Sequence, residues 1–198
     1  MLKTNKCQEF GKMQLIIGLG NPGKIYSLNR HNVGFMALDY IAKNFGGEFV
    51  ESKKFKNNVA EITAFGKKIF LVKSNNFMNL SGESLWIIKN HYKIAIEDIL
   101  VLHDDLDLEF AKLKIKQGGS SGGHNGLKSL DAHIGSNYVR LRIGIGRPKS
   151  NQNTSDYVIS NFTHEELKEL EFLFEYINQK SNLLLERSFE SFLNPQIK

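Results

Sequence analysis

Cysteine occurs once in this chain, at Cys7. A single thiol closes no internal disulfide and builds no cysteine metal cluster, which sets aside disulfide-stapled scaffolds and zinc ribbons together. Proline is almost as scarce, with three residues in 198, so collagen-like and proline-rich architectures are excluded as well. Long apolar runs are missing: none approaches the roughly 20 residues that a membrane-spanning helix requires. The first twelve residues, MLKTNKCQEFGK, lack the apolar stretch of a secretory leader and read as a loose extension ahead of one domain over 13–198. These absences point to the cytoplasm.

What remains is a chain with 41% hydrophobic and 24% charged residues, enough to bury one sizeable core. Its formal charge of +5 suits a polyanionic partner such as nucleic acid, and equally suits many ordinary basic proteins. Hydrophobic periodicity gives the elements. Gln14 to Leu19 reads as a strand closed by glycine and proline, and Phe35, Leu38, Ile41 and Ala42 repeat at helical spacing over 32–44. Segments 59–63 and 68–73 read as a hairpin turning near Phe65-Gly66-Lys67, and 84–93 as a helix. Strands follow at 99–103, 111–116 and 139–145. Thr163 with Glu166 forms a capping box ahead of Leu167, Leu170, Phe174 and Ile177, and a second helix is expected over 182–192, before Pro195. The pattern predicts a single-domain α/β fold: a mixed, mostly parallel sheet with helices on both faces and a C-terminal helical pair. Ligands of such sheets lie beyond the carboxyl ends of the strands.

Residues 18–23, GLGNPG, match the G-x-G-x-x-G dinucleotide fingerprint, but the helix that should open on the glycines waits until about Asn32. A tight turn explains the glycines; it leaves Asn21 at the tip unexplained. Four possible metal ligands, His103, Asp104, Asp105 and Asp107, fall within five residues. Neighbours on a strand point to opposite faces, so they do not converge, and Asp105 and Asp107 read as solvated turn acids. No metal or cofactor is expected.

The chain also lacks a G-x-S-x-G nucleophile elbow, which leaves water as the nucleophile for any acyl chemistry. A neutral histidine is the natural base for it. By residue type alone, His31 serves as a helix-start contact or as that base. Asp104, ending an apolar strand, is placed to orient an imidazole.

GLGNPG, RHNVG at 30–34, FMNLSG at 77–82, HDDLD at 103–107, GGHNG at 122–126 and RLRIGIGRP at 140–148 occur in this order. In order, spacing and wording they resemble the bacterial peptidyl-tRNA hydrolase family, closely over residues 13–160 and more loosely beyond. The resemblance implies hydrolysis of the ester between a peptide, or an N-blocked aminoacyl group, and the 3′-terminal ribose of tRNA. It implies His31 as base and Asp104 as its orienting carboxylate, with Asn21, Tyr26, Met78, Asn79 and Asn125 binding substrate. Lys114, Lys116 and Arg142 would contact the tRNA acceptor stem, the helix over 163–180 would flank the cleft as a lid, and the partner is tRNA, met by a monomer. Lys112, Lys114 and Lys116 alternate with Leu113 and Ile115, which is also the pattern of a plain solvated strand face. Two departures stand out: Leu108-Glu109-Phe110-Ala111 replaces a turn that commonly carries proline and glycine, and Asn29 replaces the usual threonine. Competing readings are an RNA-binding protein that has lost catalysis on the same scaffold, and a dinucleotide-dependent oxidoreductase.

Overall fold

A computed structural model of the chain describes residues 11–148 and 152–194. In chain order the elements are β1 (Gly11–Gly18), α1 (Val33–Asn44), β2 (Val50–Ser52), β3 (Asn57–Ala64), β4 (Lys67–Ser74), α2 (Ser81–His91) and β5 (Ile99–Asp105). They continue with β6 (Leu113–Gln117), α3 (Asn125–Ile134), β7 (Val139–Gly144), α4 (Thr154–Ile159), α5 (His164–Gln179), α6 (Ser181–Leu185) and α7 (Phe189–Leu193). The strands form one sheet in the order β2-β3-β4-β1-β5-β7-β6. The four central strands, β4, β1, β5 and β7, run parallel. β2 and β3 extend one side antiparallel, and β6 closes the other antiparallel to β7.

Strand alternation divides the core into two layers. Ile16 on β1 and Leu100 and Leu102 on β5 pack with α1, α5, α6 and α7. Their neighbours Leu15, Ile17, Ile99 and Val101 face the opposite way and pack with α2 and α3. Both faces are therefore covered, as buried parallel strands require. No helix among the described residues is long and apolar enough to cross a membrane.

The hairpin between β3 and β4 closes on Phe65 and Gly66, both at positive φ (53° and 68°), the geometry whose twist matches that of the strands. Other expectations need correction. β6 begins at Leu113 rather than Ala111, because Ala111 adopts φ 58° and donates its N–H to Gly144 O in a turn that also takes in Lys112. Only Lys114 and Lys116 therefore remain in the strand row. The helix expected over 182–192 is two short ones. Arg187 sits at φ 64°, and Ser188 N–H reaches back to Leu183 O at 2.8 Å, a left-handed helix stop. Pro195 and residues 1–10 of the expected N-terminal extension lie outside the described residues, while Gly11 and Lys12 already belong to β1. α3 and α4 were not anticipated at all.

One close approach positions the site. A Cβ built on Gly34, in the first turn of α1, would lie 2.3 Å from Leu102 O and 2.8 Å from Leu19 N. Glycine alone lets the start of α1 rest directly on the ends of β1 and β5. The 3₁₀ turn Arg30–Asn32 just before it is thereby carried to the carboxyl edge of the sheet.

Candidate active site

A cleft of about 840 Å³ opens beyond the ends of the parallel strands. His31 and Asp104 meet in it, Nδ1 to Oδ1, at 2.8 Å. Burial alone would raise the Asp104 pKa, but the imidazoles of His31 and His124 hold the carboxyl well below the usual carboxylate range. An ionised carboxylate only accepts hydrogen bonds, so the proton in this contact is on His31 Nδ1 and the ring's lone pair is on Nε2. For His31 itself burial works to lower the pKa; the Asp104 charge and hydrogen bond outweigh it, and the net shift is upward.

Sequence reading passed over His124. Its Nε2 lies 3.0 Å from the same Asp104 oxygen, and its Nδ1 accepts from the N–H groups of Gly126 (3.1 Å) and Leu127 (3.3 Å). His124 is thus the N-cap of α3. The available signal was a histidine immediately ahead of Leu127, Leu130 and Ile134, which repeat at helical spacing. His103 completes the group: its Nδ1 is 2.7 Å from Asp104 O, while Nε2 is buried without a hydrogen-bond partner among the described residues. Burial, reinforced by His124, pushes the His103 pKa down to about 3, so the ring is neutral.

His31, Asp104 and His124 present three ligand atoms within 4.8 Å of one another, the spacing of a metal site. The donor chemistry does not fit a resident ion. With Nδ1 accepting two amide hydrogen bonds, His124 could ligate through Nε2 only as an imidazolate or by giving up the α3 cap.

The loop after β1 brings in Asn21. Its main chain is held by Asn32, whose side chain accepts from Asn21 N at 2.8 Å and donates to Asn21 O at 2.9 Å. Asn21 Oδ1 accepts from Met78 N at 2.8 Å, which ties the β1 loop to the loop after β4. That second loop sets Met78 in the cleft wall with its side chain buried, and leaves Asn79 exposed beside it. Asn125, at the start of α3, lines the cleft and is also exposed. Tyr26 does not line it; its ring stands edge-on behind Phe77, with centroids 6.1 Å apart, and Phe77 forms the rim.

A family model described as peptidyl-tRNA hydrolase matches residues 15–196. The chain belongs to the peptidyl-tRNA hydrolase family. It is 49% identical over 185 residues to the peptidyl-tRNA hydrolase of Rickettsia bellii (strain RML369-C), covering 93% of this chain and all of that one. The enzyme of Rickettsia rickettsii (strain Sheila Smith) is 47% identical over 182 residues, covering 92% and 98% of the two chains. Among solved structures, peptidyl-tRNA hydrolase from Acinetobacter baumannii superimposes with a TM-score of 0.86 at 35% identity, over 92% of this chain and 93% of that one.

In this family member the cations gather on one side of the cleft. β6 pairs with β7 so that Lys114 faces Arg142 and Lys116 faces Arg140, all on one sheet face, with Leu113 and Ile115 turned into the core. Lys114 and Lys116 are exposed. Arg142 is not free, because its Nε donates to Asp105 Oδ2 at 2.5 Å. Asp105 is therefore no solvated turn acid: it ends β5, and although burial acts to raise its pKa, the Arg142 hydrogen bond lowers it. Asp107, exposed and paired with exposed Arg147, fits that description better. Arg140 is buried and donates to the carbonyls of Ser120 and Gly119 at 2.7 Å, which clamps the glycine-rich loop leading to α3.

α4 also lines the cleft, through Thr154, Ser155, Val158 and Ile159. α5 contributes none of the lining; Leu170, Phe174 and Ile177 bury it in the core, so the lid expected over 163–180 is a packed helix and the wall belongs to α4. Arg30 fastens that wall. Its guanidinium lies between the rings of Tyr157 (4.5 Å) and Phe162 (4.9 Å) and makes a two-pronged ion pair, both contacts 2.8 Å, with Glu166.

Proposed function

We propose that this chain hydrolyses the ester joining a peptide, or an N-blocked aminoacyl group, to the 3′-terminal ribose of tRNA, using a water molecule that His31 deprotonates. The observation that carries the reading is the 2.8 Å contact between His31 Nδ1 and the buried, ionised Asp104. It fixes the tautomer that makes Nε2 a base and stabilises the imidazolium that forms. The water oxygen adds to the ester carbonyl as its proton passes to Nε2. Collapse of the tetrahedral intermediate breaks the bond to the ribose oxygen, which takes the proton back from His31, releasing the peptide acid and free tRNA.

The negative charge that develops on the carbonyl oxygen needs donors in place before reaction. Asn79 and Asn125, exposed in the cleft, carry amides that fill this role or hold the peptide backbone. Asn21 has its oxygen committed to Met78 N, so its NH₂ group is the part left for substrate. Met78 supplies an apolar wall, and Tyr26 acts through Phe77. Lys114 and Lys116, with the guanidinium nitrogens of Arg142 other than the Nε held by Asp105, hold acceptor-stem phosphates, a contact that positions without reading sequence and so accepts many tRNAs. On this reading the chain is a cytoplasmic monomer, and its chemistry asks for no second copy, because one chain supplies every group of the proposed site.

Selectivity follows from the acids. Asp104 serves two imidazoles, Asp105 serves Arg142 and Asp107 serves Arg147, so a free α-ammonium entering here meets no uncommitted carboxylate among these three. A blocked amine carries no charge to desolvate. The test offers N-blocked and free aminoacyl-tRNA side by side, each with and without a chelator. Cleavage confined to the blocked substrate and indifferent to chelation is expected. Loss of activity with chelator, or equal cleavage of both substrates, contradicts the reading.

A further inference from the structure

His124 takes no part in the scheme above, yet it makes more contacts with the catalytic group than position at a helix start requires. Helix N-caps are ordinarily serine, threonine, aspartate or asparagine, whose side-chain oxygen accepts from the first free N–H groups. A carboxylate or a hydroxyl can do that much. An imidazole adds a donor held rigidly across the ring from the acceptor. In His124 the acceptor, Nδ1, takes the N–H groups of Gly126 and Leu127, so the single proton of the neutral ring is on Nε2, 3.0 Å from Asp104 Oδ1. The ring also lies 4.7 Å from that of His31 and edge-on to His103, which in turn binds Asp104 O. We propose that His124 is a positioning residue for the Asp104–His31 pair: one neutral ring fixes both the start of α3 and the oxygen that steers His31. The cap needs Nδ1 as an acceptor and the Asp104 contact needs Nε2 as a donor, so the arrangement calls for the Nε2–H tautomer.

The inference rests on His31 being the base, and the variants separate the two claims. His124→Asn keeps an oxygen for the α3 cap, and its shorter amide leaves the place of the imidazole Nε2 beside Asp104 unfilled. Turnover of N-blocked aminoacyl-tRNA should fall about tenfold in kcat, with KM changed by less than about twofold. With Asp104 left to His31 alone, the imidazolium is better stabilised, so the acid limb of the pH profile should move up. Of the neighbouring ionisable groups, Asp105 keeps Arg142 and Asp107 keeps Arg147, while His103 loses the His124 contribution to its lowered pKa and keeps the burial that is its main cause. The melting temperature should hold in His124→Asn and drop by about 2–4 °C in His124→Ala, which loses the cap as well. In the wild type, long-range ¹H–¹⁵N spectra should show His124 protonated at Nε2 and His31 at Nδ1. Unchanged kcat and acid limb in His124→Asn, or an Nδ1–H tautomer at His124, overturns the proposal. Wild-type turnover in His31→Ala would instead strike the base assignment and leave the His124 contacts standing.

Discussion

At the scale of single residues, the proposed chemistry turns on where protons sit around Asp104. Its carboxyl is buried, which by itself disfavours the charge, and two imidazole contacts reverse that preference. The reciprocal effect raises the His31 pKa above its ordinary 6.5. The base form of His31 therefore dominates only above that raised value, and kcat/KM should fall as pH drops through a point higher than 6.5. Asp104→Asn removes the charge that lifts the imidazole and the acceptor that fixes its tautomer. In that variant the acid limb should move down, and kcat should fall by as much as about 10⁴. A pH–rate profile of both proteins on one blocked substrate checks the sign; an acid limb that stays put in the variant is incompatible with Asp104 steering His31.

At the scale of elements, close backbone contact does the positioning. Gly34→Ala places a methyl group 2.3 Å from Leu102 O, so α1 must lift from β5. Denaturant unfolding should register a loss of about 1–3 kcal/mol, and turnover should fall further than stability alone explains, because the His31 turn moves with the helix. Unaltered stability would mean that α1 does not need this contact. The same elements show which features the chain displays locally. β1, β4 and β5 carry apolar runs, β7 alternates apolar residues with Arg140 and Arg142, and α1 and α5 carry clear periodicity, so the sheet and its main helices were legible. α3 was hidden because a glycine-rich approach and an unusual histidine cap replaced the familiar start signals. α4 spans six residues, too few for periodicity to register. The stop at Arg187 could not be read from composition, since an arginine at positive φ gives no local warning. Asp105 was read as a turn acid because its partner, Arg142, lies 37 positions away and meets it only through the β5–β7 pairing. His31 and Asp104, 73 positions apart, were paired by resemblance; the sheet topology supplies the physical reason they meet.

At the scale of the whole molecule, a net charge of +5 is unevenly spent. Arg30, Arg140 and Arg142 are committed to internal partners, while Lys114 and Lys116 remain exposed on the strand beside the cleft. Phosphate contacts release counterions, so affinity for tRNA should fall with salt, and Lys114→Ala should flatten the log–log slope by roughly one unit. Filter-binding titrations across a salt series measure it; an unchanged slope reduces the lysine row to a solvated face. On the proposed reading, the chemistry at the centre of the cleft belongs to His31. The most direct measurement is the single-turnover rate of His31→Ala on N-blocked aminoacyl-tRNA, taken alongside its tRNA affinity. The account predicts a rate lowered by roughly 10²–10⁴ with affinity nearly unchanged; a variant that cleaves at the wild-type rate, or that loses binding and turnover in equal measure, contradicts it.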